Sequence, residues 1–332
     1  MQLHTLPPRL TSPVQYAKIS ITHLFFWFLI NRPSFGISHK QMHPNSPSAA
    51  NLGVPIKSHQ QKGKPMRKCL YFSVLSIFLA IAIFSGMKVY AHFKEAYVQE
   101  ALYDSLSQIV EQAETTSIPE TIPEASEPEV ESPENTEPVI LSAYAELYEQ
   151  NSDMVGWIHI EDTRINYPVM QSPYDSDFYL DHGFDKSETD YGCPYIPKIC
   201  NVSKPSDNLI IYGHHKKNGS MFTDLKKFQK KSFWENHKTI SFDTLYEKQT
   251  YEVVAVFKTV VYTNSKHEFK YFQFTDAGTP EEFDAYIAKC KEKALYDTGV
   301  SAVYGDKLIT LSTCEYSNKN GRLVLVAKRI DG

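Results

Sequence analysis

The sequence has no excess of basic charge and no cysteine framework. Its 34 Lys and Arg residues are outnumbered by 39 Asp and Glu, for a formal net charge of −5, so nothing indicates nucleic-acid binding. The five cysteines are odd in number and scattered, and no Cys-x-x-Cys pair indicates a zinc site. Cys193 and Cys200 could pair in an oxidising compartment, but sequence spacing alone does not set the geometry of a disulfide.

Charge is also absent from residues 69–87, an apolar run of 19 residues. A membrane span needs about 20 such residues, so we predict a signal-anchor segment at residues 66–90 with one transmembrane helix. Basic residues crowd its N-terminal side, at Lys62, Lys64, Arg67 and Lys68. The positive-inside rule then places the N-terminus in the cytoplasm and the rest outside, in a single-pass protein of the cell membrane. A cleaved signal peptide is the rival interpretation, but no clear cleavage site follows.

Residues 1–65 do not suit this arrangement. They carry prolines, polar stretches and one short apolar run at residues 24–30, too short to span a bilayer. Because Met66-Arg-Lys directly precedes the long apolar run, we predict that translation starts at Met66 and that residues 1–65 are an annotation artefact. The alternative is a disordered cytoplasmic tail. Intact mass or N-terminal sequencing of the native protein distinguishes the two.

Residues 91–138 join the membrane segment to the rest of the chain. Residues 91–114 are expected to form a polar juxtamembrane helix with Leu102, Leu106 and Val110 on one face. Residues 115–138 are rich in Pro, Glu, Ser and Thr, which is typical of a stiff, solvated spacer with no core to bury. We expect this spacer to hold the remainder of the protein away from the membrane surface.

The remaining residues, 139–332, suffice for one globular domain. Short β-like runs dominate and no βαβ alternation appears, so we predict a mostly β fold, a barrel or sandwich with helical insertions. Strands are expected at residues 155–160, 165–170, 209–212, 251–261, 307–313 and 323–328, and helices at residues 140–150, 224–231 and 280–294.

The last two predicted strands carry the residues best suited to chemistry. Cys314 closes one apolar strand and Arg322 opens the next, so a β-hairpin would hold a nucleophile close to a cation. Alternation puts Ser312 on the same face as Cys314. Most free cysteines are small buried hydrophobes, and an Arg at a strand end often only protects a sheet edge. In the catalytic interpretation, the Arg322 guanidinium stabilises developing oxyanion charge.

A thiol nucleophile usually needs a histidine as its base. The apolar run at residues 208–212 leads through Gly213 into His214 and His215, and catalytic residues are often displayed where an element ends in a loop. Alternation does not choose between the two histidines, because the glycine can break it. A metal site is the competing use, but adjacent histidines point in different directions and no third ligand has suitable spacing.

These residues together resemble the sortase family, and its class B branch in particular. Thr310-Leu-Ser-Thr-Cys314 matches the family's TLxTC signature, and Arg322 matches the arginine that precedes its last hydrophobic strand. Tyr212-Gly-His214, followed by Asn218-Gly-Ser-Met-Phe222, matches the histidine segment. Further matches lie at residues 156–158, 167–171 and 179–180, so the resemblance covers residues 140–330. The helix expected at residues 280–294 separates class B from the shorter class A pattern.

The resemblance implies a cysteine transpeptidase on an eight-stranded sortase barrel, with no cofactor and no metal. Cys314 would attack the carbonyl after the Thr of a C-terminal sorting signal and form a thioacyl intermediate. The acyl group would then pass to an amine of a peptidoglycan precursor or to a pilin lysine. His214 would be the acid and base, and His215 would have no direct role. Arg322 would hold the oxyanion or the substrate backbone.

The implied partners are surface proteins that bear a sorting signal, together with the acceptor amine. Leu180 and Ser312 match positions that line the family's substrate groove, and Tyr271 and Phe272 align more loosely. A polar groove residue of some relatives appears here as Ser176, which leaves the exact sorting motif open. Two other functions stay open: a cysteine hydrolase without amine transfer, in which Cys typically precedes His, and a non-catalytic, membrane-tethered surface domain.

Overall fold

The computed structural model describes residues 66–116, 138–261 and 269–330. The N-terminal stretch before Met66 and almost all of the predicted spacer lie outside the described residues. The predicted start at Met66 and the solvated character of the spacer therefore stay predictions.

The predicted membrane span and juxtamembrane helix form one continuous helix, α1, Met66–Thr116. Among the described residues this is the one helix long and apolar enough to cross a membrane. Its most apolar stretch has a mean hydropathy of 2.2, and no residue of that stretch is buried in the protein. Farther along, Leu106 and Val110 are buried against the domain and Leu102 is partly buried there. The predicted apolar face of the juxtamembrane helix is therefore confirmed.

The rest of the described chain is built around one sheet, in the strand order β2-β1-β4-β5-β7-β6-β3. Neighbouring strands are antiparallel, except that β3 runs parallel to β6. The strands are β1 Met154–His159, β2 Asn166–Met170, β3 Asn208–Tyr212, β4 Thr239–Thr244, β5 Thr250–Val260, β6 Leu308–Glu315 and β7 Gly321–Arg329.

In the described part of the chain, three shorter α-helices and three 3₁₀ helices accompany the sheet. The α-helices are α2 Ser142–Gln150, α3 Lys231–Asn236 and α4 Pro280–Lys293, and the 3₁₀ helices are Phe178–Leu180, Phe222–Gln229 and Tyr271–Gln273. Helix α4 begins where expected, because the Thr279 hydroxyl accepts a hydrogen bond from the Glu282 amide at 3.3 Å and Pro280 occupies the first turn.

Both faces of strands β6 and β7 are buried, each against a different cluster. Ile309 and Leu325 belong to the main core on one face of the sheet. Val324 and Val326 pack on the other face with the buried side of α4, including Phe283. Continuous burial explains why the two strands read as unbroken apolar runs. Cys314 and Arg322 end these strands on the face that α4 covers.

The expected eight-stranded barrel is not confirmed, because the described residues form a seven-stranded sheet that is not closed. Between the two edge strands lies Tyr195, which makes single bridges to Met170 of β2 and Tyr212 of β3. Pro194 and Pro197 flank it. Proline has no amide hydrogen to donate to a β-ladder. Where an eighth strand would close the barrel, the segment around Tyr195 therefore makes only isolated bridges.

Helix α1 contacts the domain directly, before the spacer begins. The Glu95 carboxylate accepts hydrogen bonds from the Thr189 hydroxyl at 2.8 Å and the Asp190 amide at 3.1 Å. About two turns farther along the helix, the buried Tyr103 hydroxyl donates to the Gly192 carbonyl at 2.7 Å. The domain is therefore in direct contact with the helix that leads to the membrane, and the expectation that the spacer holds the domain away from the membrane surface stays a prediction.

Candidate active site

Three neighbouring strands bring His214, Cys314 and Arg322 to one level of the sheet. Cys314 lies directly opposite Arg322 in the β6–β7 register, which confirms the predicted hairpin. Strand β3 runs parallel to β6, with Tyr212 opposite Ser312. Since parallel partners keep step, His214 and Cys314 each follow two residues later and end up side by side. Across the sheet, Cys314 therefore lies between His214 on one side and Arg322 on the other.

These three residues line a single cavity of about 260 Å³. The four residues predicted to bind substrate, Leu180, Ser312, Tyr271 and Phe272, line the same cavity. The 3₁₀ helices Phe178–Leu180 and Tyr271–Gln273 provide its walls beyond the sheet. All seven candidates, from five separate stretches of sequence, are thus brought together.

The His214 ring is oriented by a backbone carbonyl. Its Nε2 atom lies 2.7 Å from the Leu180 carbonyl oxygen. A carbonyl can only accept, so Nε2 carries the hydrogen and Nδ1 is the nitrogen left to exchange a proton. Burial lowers the pKa of His214, and the bond to Leu180 partly opposes this. Near neutral pH the imidazole is therefore neutral and able to act as a base.

The position of the Leu180 carbonyl depends on a glycine. Gly192 has φ of +60°, and a Cβ atom there would lie 2.6 Å from the Leu180 oxygen and 2.7 Å from the Tyr179 oxygen. The next residue, Cys193, donates its amide to Tyr179 at 2.9 Å. Only glycine allows this close approach without strain. The Tyr103 hydroxyl of α1 holds the same glycine from the other side.

His215 has different partners from its neighbour. Its Nδ1 atom lies 3.0 Å from the Cys314 carbonyl oxygen, so the ring donates to the backbone of β6 and not to the thiol. The ring also packs beside Tyr316, with centroids 5.0 Å apart. This geometry favours His214 as the base and gives His215 a role in holding the end of β6.

The polar residues on the Cys314 face of β6 are buried and hydrogen-bonded. The Ser312 hydroxyl lies 2.7 Å from the Tyr271 hydroxyl, which ties the cavity wall to the sheet. Thr310 donates to the Asn208 side chain at 2.8 Å. The predicted polar face therefore exists, but in most of its length it is a network inside the protein, open to the cavity only near Ser312 and Cys314.

A second cation near the thiol was not predicted. Lys216, two residues after His214, has its ammonium 5.1 Å from the centre of the Tyr191 ring. Burial lowers the pKa of Lys216, and its attraction to Asp190, to Glu95 and, least of the three, to Cys314 acts in the opposite direction. In the sequence, the only indication of this cation was a lysine that directly follows the two histidines. Lys216 is therefore a second cation within electrostatic range of Cys314, in addition to Arg322.

Cys193 and Cys200 form no disulfide, which answers the question that their spacing left open. Both are free and buried. Burial raises the pKa of Cys193 to about 12 and that of Cys200 to about 11. At neutral pH both thiols are protonated and therefore poor nucleophiles. Cys193 also lines the cavity, but it is buried, whereas Cys314 is partly exposed and is therefore the thiol that a substrate can reach.

The chain is similar to known proteins of one family. The Sortase domain family model matches residues 158–330. Sortase B of Listeria monocytogenes is 31% identical over 262 residues, covering 78% of this chain and 96% of the relative. Sortase B of Staphylococcus aureus is 33% identical over 189 residues, covering 56% and 74%.

Solved structures give the same result. The Staphylococcus aureus sortase B–substrate complex superposes with a TM-score of 0.59 at 28% identity, covering 72% of this chain and 99% of that one. Sortase B of Bacillus anthracis in complex with AAEK1 gives a TM-score of 0.58 at 30% identity, covering 72% and 100%.

Proposed function

This chain belongs to the sortase family of cysteine transpeptidases, with class B relatives. We propose that it joins proteins that bear a sorting signal to an amine at the outer surface of the cell membrane. One observation carries the proposal: His214, Cys314 and Arg322 lie at one level of three neighbouring strands and line one cavity. A base, a nucleophile and a fixed cation on neighbouring strands are the parts that acyl transfer requires.

In the first step, Nδ1 of His214 accepts the thiol proton and the Cys314 sulfur attacks the carbonyl carbon after the Thr of the sorting signal. Arg322 donates to the oxyanion that forms. The protonated His214 then gives its proton to the departing amine as the C–N bond breaks. A thioester on Cys314 and a released C-terminal peptide result.

In the second step, the amine of a peptidoglycan precursor or of a pilin lysine attacks the thioester. His214 accepts a proton from the attacking nitrogen, the C–S bond breaks, and an amide forms while the thiol is restored. We assign the walls of the cavity, Leu180, Ser312, Tyr271 and Phe272, to binding of the sorting signal. The substrate complex of the Staphylococcus aureus relative supports a groove of this kind.

Helix α1 supports a single-pass membrane anchor, because its apolar part has the composition of a span and is not buried in the protein. The basic residues before it favour a cytoplasmic N-terminus. We therefore place the catalytic domain outside the cell membrane.

The test uses the full chain in detergent, a fluorogenic sorting peptide and an amine acceptor. We expect the peptide to be cleaved with and without the acceptor, and an amide product to form only when the acceptor is present. Cys314→Ala should abolish both the cleavage and the amide product. His214→Ala should also abolish turnover, with His215→Ala as its matched control. Cleavage that survives Cys314→Ala would end the proposal. Cys314-dependent cleavage with no amine-dependent product would instead favour a cysteine hydrolase.

A further inference from the structure

Three aromatic side chains form an exposed stripe on α1 just beyond its apolar part. Tyr90, Phe93 and Tyr97 are 71%, 57% and 72% exposed, and their spacing places them on one side of the helix. We call this stripe the aromatic face. The same side of the helix then becomes polar, and the exposed residues that continue it are Ala101, Asp104, Gln108 and Glu111.

The position of the aromatic face along α1 matches the boundary of a bilayer. About 20 residues cross the hydrocarbon layer, so a span that begins at Leu70 ends near Val89. At about 1.5 Å per residue, the Cα atom of Tyr97 lies about 12 Å farther out. Helical side chains lean back over the preceding turn, which returns the Tyr97 ring to the headgroup level. Tyrosine is enriched at this interface.

The opposite side of α1 contacts the catalytic domain at the same height. Glu95, which binds Thr189 and Asp190, follows Val89 by six residues, or about 9 Å of helix. The domain therefore begins where the headgroup layer ends. Because the contacts come from α1 itself, the distance between the domain and the membrane does not depend on the spacer that follows the helix.

The part of the domain that Glu95 contacts leads directly to the active-site cavity. The Thr189 amide donates to the Asp181 carbonyl at 2.8 Å. Asp181 follows Leu180, whose carbonyl holds His214 and whose side chain lines the cavity. A short series of hydrogen bonds thus connects the membrane-proximal turn of α1 to the catalytic histidine.

We propose that the aromatic face lies in the headgroup layer of the bilayer that α1 spans, and that it holds the mouth of the active-site cavity at the membrane surface. There the mouth meets substrates whose own chains are held in the same membrane. The encounter of the cavity with substrates held in the membrane rests on the proposed function, whereas the contact between the aromatic face and lipid does not. A second copy of this chain is the competing occupant of the face.

The lipid contact is tested without catalysis, in the full chain with Cys69→Ser and Cys314→Ala, since the other cysteines described are buried. Tyr97→Cys or Gln108→Cys carries a spin label in vesicles of phosphatidylglycerol and phosphatidylethanolamine. We expect the label at position 97 to be reached by oxygen but shielded from a water-soluble nickel chelate, and the label at position 108 to be open to nickel. Equal nickel access at both positions, or shielding at 97 from both reagents, would overturn the lipid contact, and the second result would indicate a second copy.

The functional consequence is tested by replacing Tyr90, Phe93 and Tyr97 together by serine. Asp104, Gln108 and Glu111 replaced by serine form the matched control on the same side of the helix. With a soluble sorting peptide, we expect the aromatic variant to keep its turnover. With the same peptide joined to a transmembrane helix in the vesicles, turnover should fall about tenfold, because the effective concentration of substrate at the site falls. An equal loss with both substrates, or no loss with either, would contradict the proposal. A wild-type chain that cleaves neither substrate would refute the proposed function and leave the spin-label result standing.

Discussion

Replacing Gly192 by alanine would place a methyl group 2.6 Å from the Leu180 carbonyl oxygen and 2.7 Å from that of Tyr179. Real Cβ contacts essentially never fall below 3.0 Å, so one or both carbonyls must move by several tenths of an ångström. The Leu180 carbonyl is the acceptor that orients His214. A substitution at a backbone position that touches no substrate should therefore reach the catalytic imidazole.

Two separate costs can be estimated. An alanine at the left-handed φ of Gly192 costs about 1–2 kcal/mol, and the displaced carbonyls add about 1–3 kcal/mol. Gly299 is a matched control, because it has φ of +71° but no atom within 4 Å of an added Cβ. Gly192→Ala should lower the free energy of unfolding by about 2–5 kcal/mol, and Gly299→Ala by only the first part.

The catalytic effect follows from the hydrogen bond. A weakened bond between His214 and Leu180 is worth about 0.5–1.5 kcal/mol, which corresponds to a loss in kcat of about 2- to 12-fold. That bond also raises the pKa of His214, so weakening it should move the acid limb of the pH profile to lower pH. Gly299→Ala should change neither.

The assay combines denaturant unfolding of the full chain in detergent with peptide cleavage over a range of pH. Selective labelling of the histidines follows the His214 titration directly by NMR. If Gly192→Ala unfolds and cleaves like Gly299→Ala, with the same pH profile, then Leu180 does not orient His214 in the way that the geometry indicates.

Three further predictions concern the same network. Tyr103→Phe removes the donor to the buried Gly192 carbonyl and should lower the free energy of unfolding by about 1–3 kcal/mol, whereas Tyr97→Phe on the exposed side of α1 should change denaturant unfolding very little; equal effects would contradict the role of the buried bond. Tyr271→Phe breaks the bond to Ser312 and should cost about 1 kcal/mol and slow formation of the thioester in rapid-quench measurements, with the exposed Tyr174→Phe as its control; an unchanged rate would remove Tyr271 from the groove. Burial depresses the pKa of His214 below its ordinary 6.5, so the unfolded chain binds more protons and stability falls as pH drops through 6.5 toward the folded pKa. His214→Gln should therefore lose less stability than the wild type between about pH 7.5 and about pH 5, and an unchanged pH dependence of the denaturant midpoint would contradict this assignment.

Strand positions were the part of the fold most accessible from the sequence. Six of the observed strands coincide with predicted runs, because buried strands need continuous or alternating apolar residues. Strand β4, Thr239–Thr244, was missed since only Ile240 and Phe242 carry its apolar signal. The helix expected at residues 224–231 is a 3₁₀ run, Phe222–Gln229, and α3 begins at Lys231. The extended Lys230 between them separates two elements that have similar composition.

The candidate site was predictable to the extent that its contacts are local. Cys314 and Arg322 are joined by one short turn, so their pairing follows from a hairpin. Pairing His214 with Cys314 requires strands β3 and β6, about 100 residues apart, to run parallel and in step. Alternation within either strand contains no information on that pairing, and the family resemblance supplied it.

By itself the sequence determined the helix that is apolar enough to span a membrane, six of the seven strands, the hairpin and the identity of the thiol, because each depends on residue type and short-range periodicity. The tertiary structure alone decided that Leu180 orients His214, that Gly192 makes room for the Leu180 carbonyl, that Lys216 adds a second cation, and that α1 rests on the domain. These features depend on backbone carbonyls and on side chains distant in sequence. No periodicity in the sequence marks such contacts, since they form only when separate segments pack together.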